Sequence, residues 1–199
     1  MKILVTAFEP FGSSPRNSSL ETLQSLPDIT PFGHVLEKRL LPVVYDRCGQ
    51  LLESLITETS PGAVVCLGQA EGRGKITPEY IAVNIKNSTS ADNAGRICCF
   101  EAIEKGGPDG IFTTLPVRKM VEKMQESAVP AAVSFTAGTY VCNNLMYCAL
   151  RSCTPRGIPA GFIHLPLSAE IAAEENKTCT ALSQDMLTDG ILCCLDCSE

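Results

Sequence analysis

Ala63-Val-Val-Cys-Leu67 is an unbroken apolar run ending at Gly68, too short for a helix of ordinary length and without the alternation of a strand that has one wet face. Such a segment reads as a strand covered on both sides, the habit of mostly parallel sheets. Lys2 to Thr6 and Ala160 to His164 read as the first and last core strands. Helical patterns alternate with extended ones between them. Ser18-Ser19-Leu20-Glu21 opens a helix with serine caps and an early glutamate. Asp46 to Thr59 predicts an amphipathic helix with Leu51, Leu52, Leu55 and Ile56 on one stripe. Pro116 starts a helix over Val117 to Ser127, a second runs from about Cys142 to Ser152, and a third from Ser168 to about Asp189. The remaining extended stretches are Val35 to Val44, Tyr80 to Ile85, Gly110 to Thr114 and Ala131 to Phe135, with a polar loop from Asn87 to Gly95. No repeat, low-complexity segment or linker divides the chain. The expectation is one α/β domain over residues 1–199, its helices packed on a largely parallel sheet.

At 199 residues and 45% hydrophobic content the chain can bury a sizeable core. Sixteen Lys and Arg against 22 Asp and Glu leave a formal charge of −6, the wrong sign for a nucleic acid or an anionic membrane surface. No apolar stretch approaches the ~20 residues of a membrane span. The start turns acidic by Glu9 and reads as a strand rather than a signal peptide. Eleven cysteines, an odd number, then suit thiols kept reduced in a cytoplasmic setting better than a disulfide framework.

Chemistry starts from the two histidines. His34, between Gly33 and the charged stretch Glu37-Lys38-Arg39, reads as a surface or strand-edge residue. His164 ends an apolar strand, where open α/β sheets bind their ligands; a satisfied buried histidine is the competing reading. Cys142 follows Gly138-Thr-Tyr-Val at a helix start. Free N–H groups there lower a thiol pKa and can hold an oxyanion. A nucleophilic thiol needs a base, and His164 is the available one. Ten further cysteines warn that the ordinary role of any one of them is core packing. Glu79, after Thr77-Pro78, is a candidate to orient the imidazole, although locally it reads as an exposed strand-edge carboxylate. Gly68-Gln-Ala-Glu-Gly72-Arg-Gly74 lacks the ending of a phosphate loop and reads as a turn. The tail with Cys193, Cys194 and Cys197 lacks the paired spacing of a zinc site, and reads as thiols clustered at a frayed terminus or as a helix end packed on the body. On that reading, truncation after Asp189 leaves the specific activity intact.

Several segments together resemble the pyroglutamyl peptidase I (pyrrolidone-carboxylate peptidase) family. They are Thr6-Ala-Phe8-Glu-Pro-Phe11-Gly with Asn17, Leu67-Gly-Gln69-Ala-Glu-Gly-Arg73, Ile76-Thr-Pro-Glu79, Ala82-Val-Asn84, Thr113-Thr-Leu-Pro116, Ala137-Gly-Thr-Tyr-Val-Cys142-Asn143 and Gly161-Phe-Ile-His164-Leu-Pro166. Their order and spacing run from Met1 to about Glu175. The resemblance implies a three-layer α/β/α sandwich with a largely parallel, twisted sheet. It also implies a cytoplasmic thiol exopeptidase, often a homotetramer, that hydrolyses an N-terminal pyroglutamyl residue from peptides through a thioester, without metal or organic cofactor. It assigns a Cys142–His164–Glu79 triad and a lactam pocket of Phe8, Phe11, Asn17, Gln69 and Val141.

Three departures stand out. Thr89 occupies the place of a family arginine thought to help the oxyanion site. Leu167-Ser168-Ala169 lacks the usual aromatic-x-Pro, and the cysteine-rich end from about residue 190 has no family counterpart. Two alternatives follow: a catalytically impaired homologue that binds pyroglutamyl peptides, favoured by Thr89, and a thiol-based metal or redox protein, favoured only by the cysteine count.

Overall fold

A computed structural model describes residues 1–197. The chain runs through β1 (Lys2–Phe8), α1 (Ser18–Ser25), β2 (Val35–Leu41), α2 (Arg47–Thr59), β3 (Ala63–Gln69), β4 (Thr77–Pro78), β5 (Ile81–Val83) and β6 (Gly110–Phe112). It continues with α3 (Val117–Glu126), α4 (Val141–Cys153), β7 (Ala160–Leu165), α5 (Ala169–Glu174) and α6 (Gln184–Leu195). The main sheet has the order β2-β1-β3-β7-β4, parallel except for the short edge strand β4; β5 and β6 pair separately and antiparallel.

The apolar strands are unbroken because each feeds two cores. Ile3, Val5, Val65, Leu67 and Ile163 pack with α1, α3 and α6 on one face. The alternate residues Leu4, Val64, Cys66 and Phe162 pack with α2 and α4 on the other. A period of two therefore splits every strand between opposite layers. From β1 the chain moves one way to β2, then crosses back to β3 on β1's other side. The connecting helices α1 and α2 consequently lie on opposite faces. The strand order reverses between β1 and β3, and ligands bind off the carboxyl ends of strands at such a point. Those ends carry Phe8 on β1, Gln69 on β3 and His164 on β7.

Several elements differ from the sequence reading. Asn17 rather than a serine caps α1, accepting from the Ser19 N–H. Leu51 points to solvent, and Cys48 joins Leu52, Leu55 and Ile56 on the buried stripe of α2. Ala131 to Phe135 makes only isolated bridges, Ile76 with Ala131 and Glu79 with Ser134. The long last helix is two. The chain leaves α5 through Asn176 in a left-handed conformation and restarts at Ser183, whose hydroxyl accepts from the Met186 N–H. Within α6, Ile191, Cys194 and Leu195 are fully buried against α3, and Lys123 pairs with Asp196. Among the described residues no helix is long and apolar enough to cross a membrane.

Candidate active site

Cys142 is the second residue of α4. Gly138, with φ +74°, turns the chain into the helix. Asn143 then clamps the helix start to β5: its amide donates to the Val83 and Ile85 carbonyls, at 2.8 and 3.0 Å, and accepts from the Val83 N–H at 2.9 Å. Tyr140, the N-cap residue of α4, makes no side-chain hydrogen bond to the first N–H groups of the helix. The cysteine faces the end of β3, where a Cβ added to Gly68 would lie 3.2 Å from its Sγ. Gly68 is the register partner of His164 on β7, so the thiol is brought to the imidazole across two neighbouring strand ends.

His164 packs against Phe162, with ring centroids 4.8 Å apart and planes tilted by 56°, and its Nδ1–H donates to Glu79 Oε1 at 2.7 Å. That bond leaves Nε2 as the free acceptor. Glu79 reaches this position because β4 runs antiparallel to β7, pairing Thr77 with His164, and because the Glu79 N–H donates to the Phe162 carbonyl at 2.9 Å. The local expectation of an exposed carboxylate is therefore wrong: Glu79 is 0% exposed. Arg73, to which sequence reasoning gave no role of its own, donates from Nη1 to the same Oε1 at 2.6 Å. No local signal could have found it, since flanking glycines mark a turn and do not name a partner for the cation.

The electrostatics correct a second expectation. The helix start was expected to lower the Cys142 thiol. Burial and the neighbouring Glu79 charge instead push it up to about 12, against the smaller opposing pull of Arg73. Burial also lowers His164 below its ordinary value, outweighing the hydrogen bond to Glu79. Near neutral pH the pair is a neutral thiol beside a neutral imidazole. Nucleophilic attack by such a thiol would need a proton transfer concerted with it, the arrangement of a general base rather than of a resting ion pair.

Phe8, Phe11, Asn17, Gln69 and Val141 come together around one cavity of about 50 Å³, with Val43, Tyr140 and Cys142 completing its wall. The two amides differ in availability. Asn17 Oδ1 is spent on the Ser19 N–H and hydroxyl, and its Nδ2 donates to the Glu9 carbonyl. Gln69 Oε1 accepts from the Ser18 N–H at 2.7 Å. This bond fixes the orientation of the amide, so Nε2 is the group left to meet a ligand. A larger, open chamber of about 370 Å³ shares Phe11 and Tyr140 and includes Thr89.

His34 lies away from this site and is buried rather than superficial, with its Nδ1 3.2 Å from the N-terminal amine. The tail thiols point to separate partners, Cys197 to the Cys193 carbonyl and Cys194 towards Met124. Among the described residues no three His, Cys, Asp or Glu side chains converge as metal ligands.

Comparison with known proteins places these features in context. The family model described as Pyroglutamyl peptidase matches residues 1–198. A pyrrolidone-carboxylate peptidase of Thermococcus onnurineus is 45% identical over 184 residues, 92% of each chain. One from Streptococcus suis is 42% identical over 172 residues, 85% of this chain and 80% of that one. Among solved structures, pyroglutamyl peptidase I from Bacillus amyloliquefaciens superposes with a TM-score of 0.93 at 33% identity, covering 99% of this chain and 94% of that one. The pyrrolidone carboxyl peptidase of Pyrococcus furiosus gives 0.94 at 32% identity, covering 100% and 98%.

Proposed function

The chain belongs to the pyroglutamyl peptidase family, and from that premise we propose that Cys142, His164 and Glu79 carry out its hydrolysis of N-terminal pyroglutamyl peptides. The observation that carries this assignment is the coincidence of Cys142 in the wall of the small cavity with the Glu79–His164 hydrogen bond behind it. The impaired-binder alternative finds no support, since the match spans residues 1–198 and the relatives bear peptidase names.

The lactam ring enters between Phe8 and Phe11, and Gln69 Nε2 donates to its carbonyl. Cys142 Sγ attacks the carbonyl carbon of the scissile amide while its proton passes to His164 Nε2. The oxyanion is met by the uncapped N–H groups at the start of α4. The imidazolium, held by Glu79, returns the proton to the leaving amine. The C–N bond breaks, leaving a thioester. Water, deprotonated by the same imidazole, then attacks the thioester and releases pyroglutamate with the free thiol. The leaving peptide has room in the neighbouring chamber lined by Thr89.

Two further readings rest on the surface and the thiols. Ten cysteines, Cys142 among them, are free thiols among the described residues, which suits a reducing cytoplasm. Exposed Phe112 and Phe135 flank Tyr80, at centroid distances of 5.2 and 5.6 Å, an aromatic patch that supports association with further copies of this chain. The triad is tested by chromophore release from a pyroglutamyl anilide. Cys142→Ser and His164→Ala lose nearly all activity with an unchanged fold; full activity in either variant overturns the assignment.

A further inference from the structure

Glu79 is a buried carboxylate whose two oxygens are treated unequally. Oε1 receives both His164 Nδ1–H, at 2.7 Å, and Arg73 Nη1–H, at 2.6 Å. Oε2 is buried and, among the described residues, has no hydrogen-bond partner. Left with His164 alone, such a carboxylate has little to stop it from turning about its last bond and presenting either oxygen, or none, to the imidazole. Arg73 removes that freedom. It also bonds the Thr77 hydroxyl on β4, and its Nη2 donates to the Thr136 carbonyl at 3.1 Å, in the loop that leads into α4. The Thr77 hydroxyl in turn reaches the His164 carbonyl at 3.4 Å. One guanidinium thus joins the strand that carries Glu79, the strand that carries His164 and the approach to Cys142.

The backbone holds this side chain in place. Gly72 has φ +89°, which side-chain-bearing residues rarely adopt. A Cβ on Gly74 would stand 2.7 Å from Thr180 Cγ2. The glycine-rich turn after β3 is therefore built to present Arg73, not to cradle a phosphate.

We propose that Arg73 is a positioning residue for catalysis, fixing the Glu79 carboxylate so that its Oε1 orients the imidazole toward Cys142. The inference rests on the triad reading above. A guanidinium is suited to the task because its rigid fork serves three acceptors at once, which a lysine ammonium on a flexible stem does not. The charged or titratable groups facing His164 are Glu79, Arg73 and Cys142. The arginine's positive charge opposes imidazolium formation there, whereas Glu79 favours it.

The test is steady-state kinetics on a pyroglutamyl anilide for Arg73→Gln, Arg73→Lys and Arg73→Ala, beside Glu79→Gln and His164→Ala. A displacement of reacting groups by about 1 Å costs about 10²-fold. Arg73→Gln is therefore expected to lose that order in kcat with KM nearly unchanged, and its acid limb moves to higher pH because the opposing cation has gone. Arg73→Lys recovers part of the loss. The Arg73 side chain is 26% exposed, so added guanidinium ion can reach the vacated place in Arg73→Ala, and it restores kcat saturably where sodium chloride does not. Folding is followed by circular dichroism, and the rescue experiment remains decisive if Arg73→Gln proves unstable. Arg73→Gln with kcat within threefold of the parent and an unmoved acid limb overturns the proposal, as does an Arg73→Ala that folds but shows no guanidinium rescue. If Glu79→Gln and His164→Ala stay fully active, the triad itself is wrong; if they fail while Arg73→Gln does not, only the role of Arg73 falls.

Discussion

At Cys142 the competition between helix N-terminus and burial has a kinetic signature. Burial pushes the thiol up to about 12 and the imidazole below its ordinary value, so each is neutral at pH 7. As pH falls, His164 takes up a proton and can no longer act as the base. The kcat/KM profile is thus expected to be flat through neutrality and to drop on an acid limb lying below the ordinary imidazole range. Iodoacetamide labelling of Cys142 in the resting enzyme, followed by peptide mass spectrometry, should rise about tenfold per pH unit toward alkaline values. Fast labelling that is level from acid to neutral pH would instead reveal a resting thiolate–imidazolium pair. Gly68 offers a second check at this scale. Its missing Cβ would meet Phe162 Cζ at 2.6 Å and Cys142 Sγ at 3.2 Å. Phe162 also touches His164 and lies beside Phe8, with centroids 4.8 and 6.3 Å away. Gly68→Ala must push that ring into the base or the pocket wall. We expect a loss of about 1–3 kcal/mol in stability, as for other overpacked cores, together with most of the activity. An active Gly68→Ala enzyme of parental melting temperature contradicts this packing.

Among the elements, α6 carries the clearest revision. The sequence reading let the cysteine-rich end fray or pack on the body, dispensable for chemistry unless it meets an oligomer contact; it is packed, with Ile191, Cys194, Leu195 and Cys197 fully buried in the same core as Met120, Met124 and Ile163. Deleting one large buried side chain costs about 2–5 kcal/mol, and a whole domain holds only about 5–15 kcal/mol. Truncation after Asp189 should therefore yield aggregated or unfolded chain. Ile191→Ala should melt earlier but keep its kcat/KM at low temperature, because α6 packs on the face of the sheet opposite α4 and Cys142. A soluble truncated enzyme with full specific activity would restore the first reading. The expectation of a dispensable end has a physical origin. Thiols look alike in sequence whether they ligate, react or pack, and only the position of α6 against α3 separates these roles. The strands were legible for the opposite reason. Runs such as Ala63 to Leu67 have one stable use, between two helical layers, so α/β architecture followed from them directly. Glu79 and Arg73 were harder: β4 has two residues, and its pairing with β7 is a long-range contact that no local pattern announces. Glu79 was one candidate acid among many until resemblance to a family singled it out, and the tie from Arg73 to it came only with the coordinates.

For the molecule as a whole, the fold determines what the cavity can accept. Its walls come from β1, the loop after it, the cap of α1, the end of β3 and the start of α4, and none of its lining residues is charged. An N-terminal proline resembles pyroglutamate in shape but carries a protonated ring amine and lacks the ring carbonyl. The net charge of −6 would draw that cation toward the protein at long range. Discrimination must therefore arise inside the cavity, where an unpaired ammonium loses its hydration without a counter-charge. The free Gln69 Nε2 likewise loses the carbonyl it is placed to meet. Sites that depend on such hydrogen bonds reject analogues lacking them by about 10⁴-fold or more. The expected result is negligible cleavage of a prolyl anilide beside the pyroglutamyl one, with a ratio unchanged between low and high salt because steering contributes little to it. Gln69→Glu sharpens the test. Its carboxylate keeps an acceptor for the Ser18 N–H but loses the donor and adds a negative charge. Activity on pyroglutamate should fall and the discrimination against proline should narrow. If the two anilides are cleaved with comparable kcat/KM, or if Gln69→Glu leaves their ratio untouched, the cavity is not the lactam site and the substrate ring must bind elsewhere.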